Sequence, residues 1–261
     1  MRKSLLVILI ILALTTSNVF GKAILDTGNL ESGVIGVEYN NNSTKRMKVM
    51  IEKDENKYTY DMNNKKEDFS LQMGNGSYTI NLLENTEGNK YKVVYQDTVV
   101  LSMKEENSAF LGSVQMIKWN SSMKAIKKAE ELVKDAKSDE EKVEKVYQYI
   151  INNIEYDYDK ISRLTSDYLP QVDSIFVDNK GICYDYASLF AAMLRSVGVP
   201  TKLVKGYAPD VKEYHAWNEV YIGSKGQWVT IDTTVDAQYN TANKKVDMVK
   251  DSSLYKKSNE Y

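Results

Sequence analysis

Between Ile24 and Met103 apolar and polar positions alternate at short range, with Val, Tyr, Ile and Thr gathered in brief runs separated by Gly and Asn clusters. That spacing predicts strands. Gly76 to Leu83 alternates through Ile80 and Leu82, Gly88-Asn89-Lys90 supplies a turn, and Tyr91 to Leu101 forms a further run. Residues 24–104 therefore read as a small antiparallel β-sandwich. Residues 105–121 have little periodicity and read as a connector, and the period then becomes helical over a second unit, 122–261.

Within that unit a helix is expected from Met123 to Ala136, carrying Ala129, Leu132 and Val133. Ser138-Asp139-Glu140-Glu141 has the Ser-x-x-Glu capping pattern, and Val143, Val146, Tyr147, Ile150, Ile151 and Ile154 follow at helical spacing. This stripe is core packing and not a cofactor face. Arg163 to Lys180 is polar, contains Pro170 and reads as a loop. From Cys183 onward Ala187, Phe190, Ala191, Leu194 and Val197 again keep helical spacing until Gly198 and Pro200 end it. Tyr214 to Ile222 reads as a strand, Gly223 to Gly226 as a turn and Gln227 to Asp232 as the returning strand. The segment 240–261 is polar with scattered tyrosines and shows no clear pattern.

The hairpin has a consequence for chemistry. If Gly223 to Gly226 form the loop, Ile222 faces Gln227 and Trp217 faces Asp232, so Asp232 sits diagonally beside His215. A slip of one residue would send Asp232 to the other face.

Composition narrows the function. The 34 Lys and Arg nearly balance 36 Asp and Glu, so no global field draws in nucleic acid or anionic lipid. Met1-Arg2-Lys3, the aliphatic run Leu5 to Leu14 and polar Thr15 to Asn18 have the layout of a signal peptide over residues 1–23, with cleavage expected after Gly21 or Ala23. About ten apolar residues fall short of the roughly 20 needed to span a bilayer. The mature chain is expected to be secreted or at the cell surface, retention of the segment as an anchor being the alternative.

An exported chain with one cysteine cannot close an internal disulfide. Taken alone, Cys183 reads as a small buried hydrophobe and His215, the one histidine, as a hydrogen-bonded structural residue. Their joint placement argues otherwise. Cys183 opens a helix, where free N–H groups and the dipole favour a thiolate. His215 and Asp232 share one face of a hairpin. A thiolate to attack a carbonyl, an imidazole to carry the proton and a carboxylate to orient the imidazole are the parts of an acyl-transfer triad. One Cys and one His would leave a zinc site to carboxylates, so no metal and no other cofactor is expected.

Gly181-Ile182-Cys183-Tyr184-Asp185-Tyr186-Ala187, Met193 to Pro200, His215-Ala216-Trp217-Asn218-Glu219-Val220, and Trp228 with Asp232 together resemble the bacterial transglutaminase-like superfamily. The resemblance runs from about Ser122 to Thr234 and includes Ile154-Glu155-Tyr156-Asp157. It implies an α+β, papain-like core, a cysteine helix packed against an antiparallel sheet, preceded here by the sandwich. It also implies Cys183, His215 and Asp232 as catalytic residues, with Tyr184 and Trp217 as substrate contacts. The backbone N–H of Cys183 is the expected oxyanion donor; Gln171 and Tyr156 both qualify as the second. The superfamily includes cross-linkers, thiol proteases and cyclising enzymes, so the acceptor is open. Without a calcium-binding pattern, hydrolysis of a protein or peptide substrate, in a cell-wall setting, is favoured over cross-linking. The competing reading is a non-catalytic surface or adhesion module retaining the fold.

Overall fold

The computed structural model describes residues 22–40, 45–209 and 211–261. The expected leader lies, up to Gly21, outside the described residues. Seven strands make two antiparallel sheets: β1 (Lys22–Asp26), β2 (Val34–Asn40) and β5 (Lys66–Ser70) in the order β1-β2-β5, and β3 (Met47–Lys53), β4 (Asn56–Met62), β6 (Gly76–Glu87) and β7 (Lys90–Leu101) in the order β4-β3-β6-β7. Because strand side chains alternate, each sheet turns one apolar row inward. Val37, Phe69, Val49, Ile51, Ile80 and Leu82 meet in one core.

Residues 102–123 link the halves and are tied to both. Gln115 Nε2 donates to Glu67 Oε2 at 2.8 Å, and Phe110 sits edge-on to Trp228 with centroids 5.3 Å apart. The carbonyls of Gly112 and Met116 accept from Arg195 Nη1 and Ser188 Oγ, each at 2.8 Å.

Helices α1 (Lys124–Val133), α2 (Asp139–Asn153), α3 (Tyr158–Ile161), α4 (Val172–Asp178), α5 (Cys183–Ser196) and α6 (Thr233–Thr241) follow, with two short strands, β8 (Glu155–Tyr156) and β9 (Lys180–Gly181), paired in parallel. β10 (Thr201–Tyr207), β11 (His215–Ile222), β12 (Gln227–Ile231), β13 (Val249–Lys250) and β14 (Lys256–Glu260) form one antiparallel sheet ordered β13-β12-β11-β10-β14. Buried on nearly every side, α5 sends Leu189, Phe190 and Met193 into the core between the sheet and the other helices. Asn218 Nδ2 on β11 donates to Ala187 O at 2.9 Å and to Lys202 O at 3.0 Å, tying α5 to two strands at once. The fold is α+β, with the cysteine helix against an antiparallel sheet. No helix of the described residues is long and apolar enough to cross a membrane.

Two segments differ from the sequence reading. The loop expected over Arg163 to Lys180 contains α4, whose Val172 and Ile175 are buried and whose Asp173 accepts from Ala125 N at 2.9 Å. The unpatterned tail supplies β13 and β14, the latter an edge strand against β10.

Candidate active site

The start of α5 is set by the chain before it. Glu155 N donates to Asn179 O at 2.8 Å and Asp157 N to Gly181 O at 3.0 Å, clamping β8 to β9. Ile182 N then donates to Asp185 Oδ2 at 3.0 Å, so a carboxylate at the third helical position closes the helix entrance. Asp185 is fully buried, paired with Lys160 Nζ at 2.6 Å, and also accepts from Tyr168 OH. Glycine is required at Gly181, where a Cβ would come within 2.6 Å of the Asp185 Cβ. Cys183 is thereby held at the first helical position, partly exposed, where backbone N–H groups lack an intrahelical partner.

His215 opens β11 and Asp232 directly follows β12. Ile222 pairs with Gln227 and Asn218 with Ile231, the register expected from the Gly223 to Gly226 turn. His215 Nε2 lies 2.9 Å from Asp232 Oδ2. The same oxygen accepts from Tyr255 OH at 3.3 Å, while Oδ1 accepts from Val235 N at 3.1 Å and so caps α6. Both residues are buried, His215 at 3% and Asp232 at 0% exposure.

Burial by itself would lower the His215 pKa, but the hydrogen bond to Asp232, the hydrogen bond to Cys183 and the charges of both prevail and push it up to about 10. The ring is thus paired with a carboxylate through Nε2, and the Cys183 thiol, which lines the same cleft, adds to the rise of its pKa.

Cys183 and His215 open onto a cleft of about 880 Å³ walled by Tyr156, Tyr158, Tyr184, Tyr214 and Tyr239, with Lys205 at Tyr184. Of the two substrate contacts read from the sequence, Tyr184 lines this cleft and Trp217 does not. Trp217 is 1% exposed, stacked at 22° on His215 and edge-on to Tyr255 with centroids 5.1 Å apart. Its assignment to substrate is therefore corrected: it packs against His215 outside the cleft lining, with the Tyr255 ring covering it. Tyr156 is in the cleft wall beside Cys183, whereas Gln171 precedes α4 outside it, its Nε2 3.4 Å from Leu169 O.

Sequence reasoning missed Lys205 and Tyr255. Lys205 is one of two lysines in β10, with Lys202, and Tyr255 belongs to the unpatterned tail; only folding brings either to the site. Among the described residues no group of three or more His, Cys, Asp or Glu side chains is placed to hold a metal ion.

Comparison with known proteins follows the same residues. The family model "Transglutaminase-like superfamily" matches residues 126–233. The kyphoscoliosis peptidase of Mus musculus is 32% identical over 114 residues, covering 40% of this chain and 17% of that protein. The uncharacterised protein YebA of Bacillus subtilis (strain 168) is 30% identical over 113 residues, covering 36% of this chain and 15% of YebA. The chain thus spans less than a fifth of the length of these relatives. The crystal structure of "a Putative Cysteine Protease from Cytophaga hutchinsonii" is similar over 87% of this chain and 83% of that one, at 19% identity and a TM-score of 0.44. The segment 126–233, which contains Cys183, His215 and Asp232, belongs to the transglutaminase-like superfamily.

Proposed function

We propose that the protein is a thiol acyl-transfer enzyme in which Cys183 is the nucleophile, His215 the acid and base, and Asp232 the group that orients and charges the imidazole. The observation that carries this reading is the imidazole bonded to Asp232 through Nε2 and lining, together with the Cys183 thiol, the wall of one aromatic cleft.

In the forward step the Cys183 thiolate adds to an amide carbonyl carbon, and the amide C–N bond breaks as His215 donates its proton to the leaving amine. A thioester on Sγ results. Water or a second amine then attacks it, giving its proton to His215, and the thiolate leaves. The backbone N–H of Cys183 is one oxyanion donor, and Tyr156, in the cleft wall, is preferred over Gln171 as the second.

Protein or peptide amides are the proposed acyl donors, with hydrolysis ahead of cross-linking; the peptidase name of the Mus musculus relative supports that order. The order of basic, apolar and polar residues over 1–23 supports action outside the cytoplasmic membrane. Residues 24–104 are assigned to positioning or binding, since no cluster of titratable groups in their sequence suggests chemistry.

Iodoacetamide labelling of Cys183 across pH, read by mass spectrometry in the wild type and in His215→Ala, tests this. Labelling well below the pH at which a free thiol ionises, slowed by the substitution, supports the pair. Slow labelling identical in both proteins would make Cys183 structural and leave a binding module.

A further inference from the structure

Lys205 stands out among the partly buried lysines of this half. Lys160 pairs with Asp185 at 2.6 Å, Lys202 with Glu260 at 3.0 Å and Lys250 with Asp236 at 2.6 Å. Lys205 Nζ has no carboxylate partner among the described residues. It lies 3.7 Å from the centroid of Tyr184 and 5.4 Å from that of Tyr261. Ring faces attract an ammonium, but they leave its N–H donors without the charged acceptor that a buried cation ordinarily has.

Its place in the sheet is built. On β10 it pairs with Ala216, the residue after His215, and the ladder to β14 shifts register between Lys205 and Gly206. Irregularities of this kind occur beside active sites, where they redirect a strand. Tyr184 follows Cys183 directly, so the ring under the ammonium belongs to the same helix turn as the thiol. Burial lowers the Lys205 pKa to about 8, with the charge of Cys183 opposing the fall. An anion arriving in the cleft would offset that burial. Among the described residues lining the cleft, Lys212 and Glu213 are exposed and opposite in sign, so they largely cancel, and the charge of His215 is paired with Asp232.

We propose that Lys205 is a specificity-determining residue that binds a carboxylate of the acyl donor, so that the cleft selects anionic peptides. The carboxylate comes from an acidic side chain near the reacting amide or from a chain terminus. This rests on Cys183 being the nucleophile of the proposed acyl transfer.

The test compares alkylation of Cys183 by iodoacetate and by iodoacetamide, reagents that differ in a carboxylate against an amide, in the full chain. The ratio of the two rates is expected to fall about tenfold in Lys205→Met, to be retained in Lys205→Arg and to be unchanged in Lys212→Met. An equal loss of both rates in Lys205→Met would overturn the proposal, because Lys205 would then act on the thiol and not on the ligand. An equal fall of the ratio in Lys212→Met would overturn it as well, showing a general field. Protection from iodoacetamide by acetyl-Ala-Glu-Ala-amide assigns the side-chain source, and by acetyl-Ala-Ala-Ala with a free carboxylate the terminal one; protection by neither counts against binding of a substrate carboxylate. The iodoacetamide rate in wild type and His215→Ala reports on the nucleophile separately, so failure of the enzyme reading and failure of the Lys205 assignment give different results.

Discussion

Asp232 and His215 are joined by a carboxylate that serves two structures at once: Oδ2 lies 2.9 Å from His215 Nε2 while Oδ1 caps α6 through Val235 N at 3.1 Å. The two duties separate by substitution. Asp232→Asn keeps a capping oxygen, since Asn is as good an N-cap as Asp, but removes the charge that holds His215 protonated. Its kcat/KM on an amide substrate should fall by about 10²–10⁴, and its urea midpoint should fall only by what the charge pairing with His215 contributed. Asp232→Ala should lose the rate and, through the lost cap alone, about 1 kcal/mol of stability. Equal midpoints for the two variants would show that the cap contributes nothing.

The raised pKa of His215 also makes stability depend on pH. Its folded value, about 10, stands above the ordinary 6.5, so the folded state holds the proton more tightly. The stabilising contribution is fully present below about pH 6.5 and is lost as pH rises through about 10. Measured as the difference in unfolding free energy between wild type and His215→Gln, it should decline by a few kcal/mol across that window. A difference that stays flat from pH 6 to 10 would contradict the assignment of charge to the imidazole.

At Gly206 the backbone of β10 runs close against Lys256 at the start of β14. A Cβ there would fall 2.1 Å from the Lys256 carbonyl oxygen and 2.9 Å from a ring carbon of Trp217. The first of these is backbone and cannot swing aside. Gly206→Ala should cost about 3 kcal/mol, and hydrogen exchange should accelerate in Lys256 to Glu260 before it does in β11.

Asn218 predicts a purely structural loss. Its Nδ2 serves two carbonyls, Ala187 O and Lys202 O, and Leu in its place would leave both buried without that donor. A cost of about 2–4 kcal/mol in denaturant unfolding follows from the desolvation of two acceptors. Retention of wild-type stability would mean that α5 is held to the sheet by apolar packing alone.

What the sequence determined by itself is what depends on neighbours along the chain. The capping pattern at Ser138 is present as Glu141 N donating to Ser138 Oγ at 3.2 Å, and the apolar stripes of α2 and α5 run where the helical period places them. The turn Gly223 to Gly226 set the hairpin register and with it the meeting of His215 and Asp232, because side-chain alternation leaves no freedom once the loop length is chosen. Tertiary structure decided the rest. At 7 residues α4 is too short to display a period and is held by its contacts with the core. β14 is polar, and its pairing uses main-chain groups that every sequence possesses. Trp217 has the same alternation whether it faces substrate or interior, and only the packing of Tyr255 behind it settled the choice. Lys205 acquired its surroundings from Tyr184 on α5 and Tyr261 beyond β14. Those rings are distant from it in sequence, and a site assembled from distant segments leaves no periodic trace in any one of them.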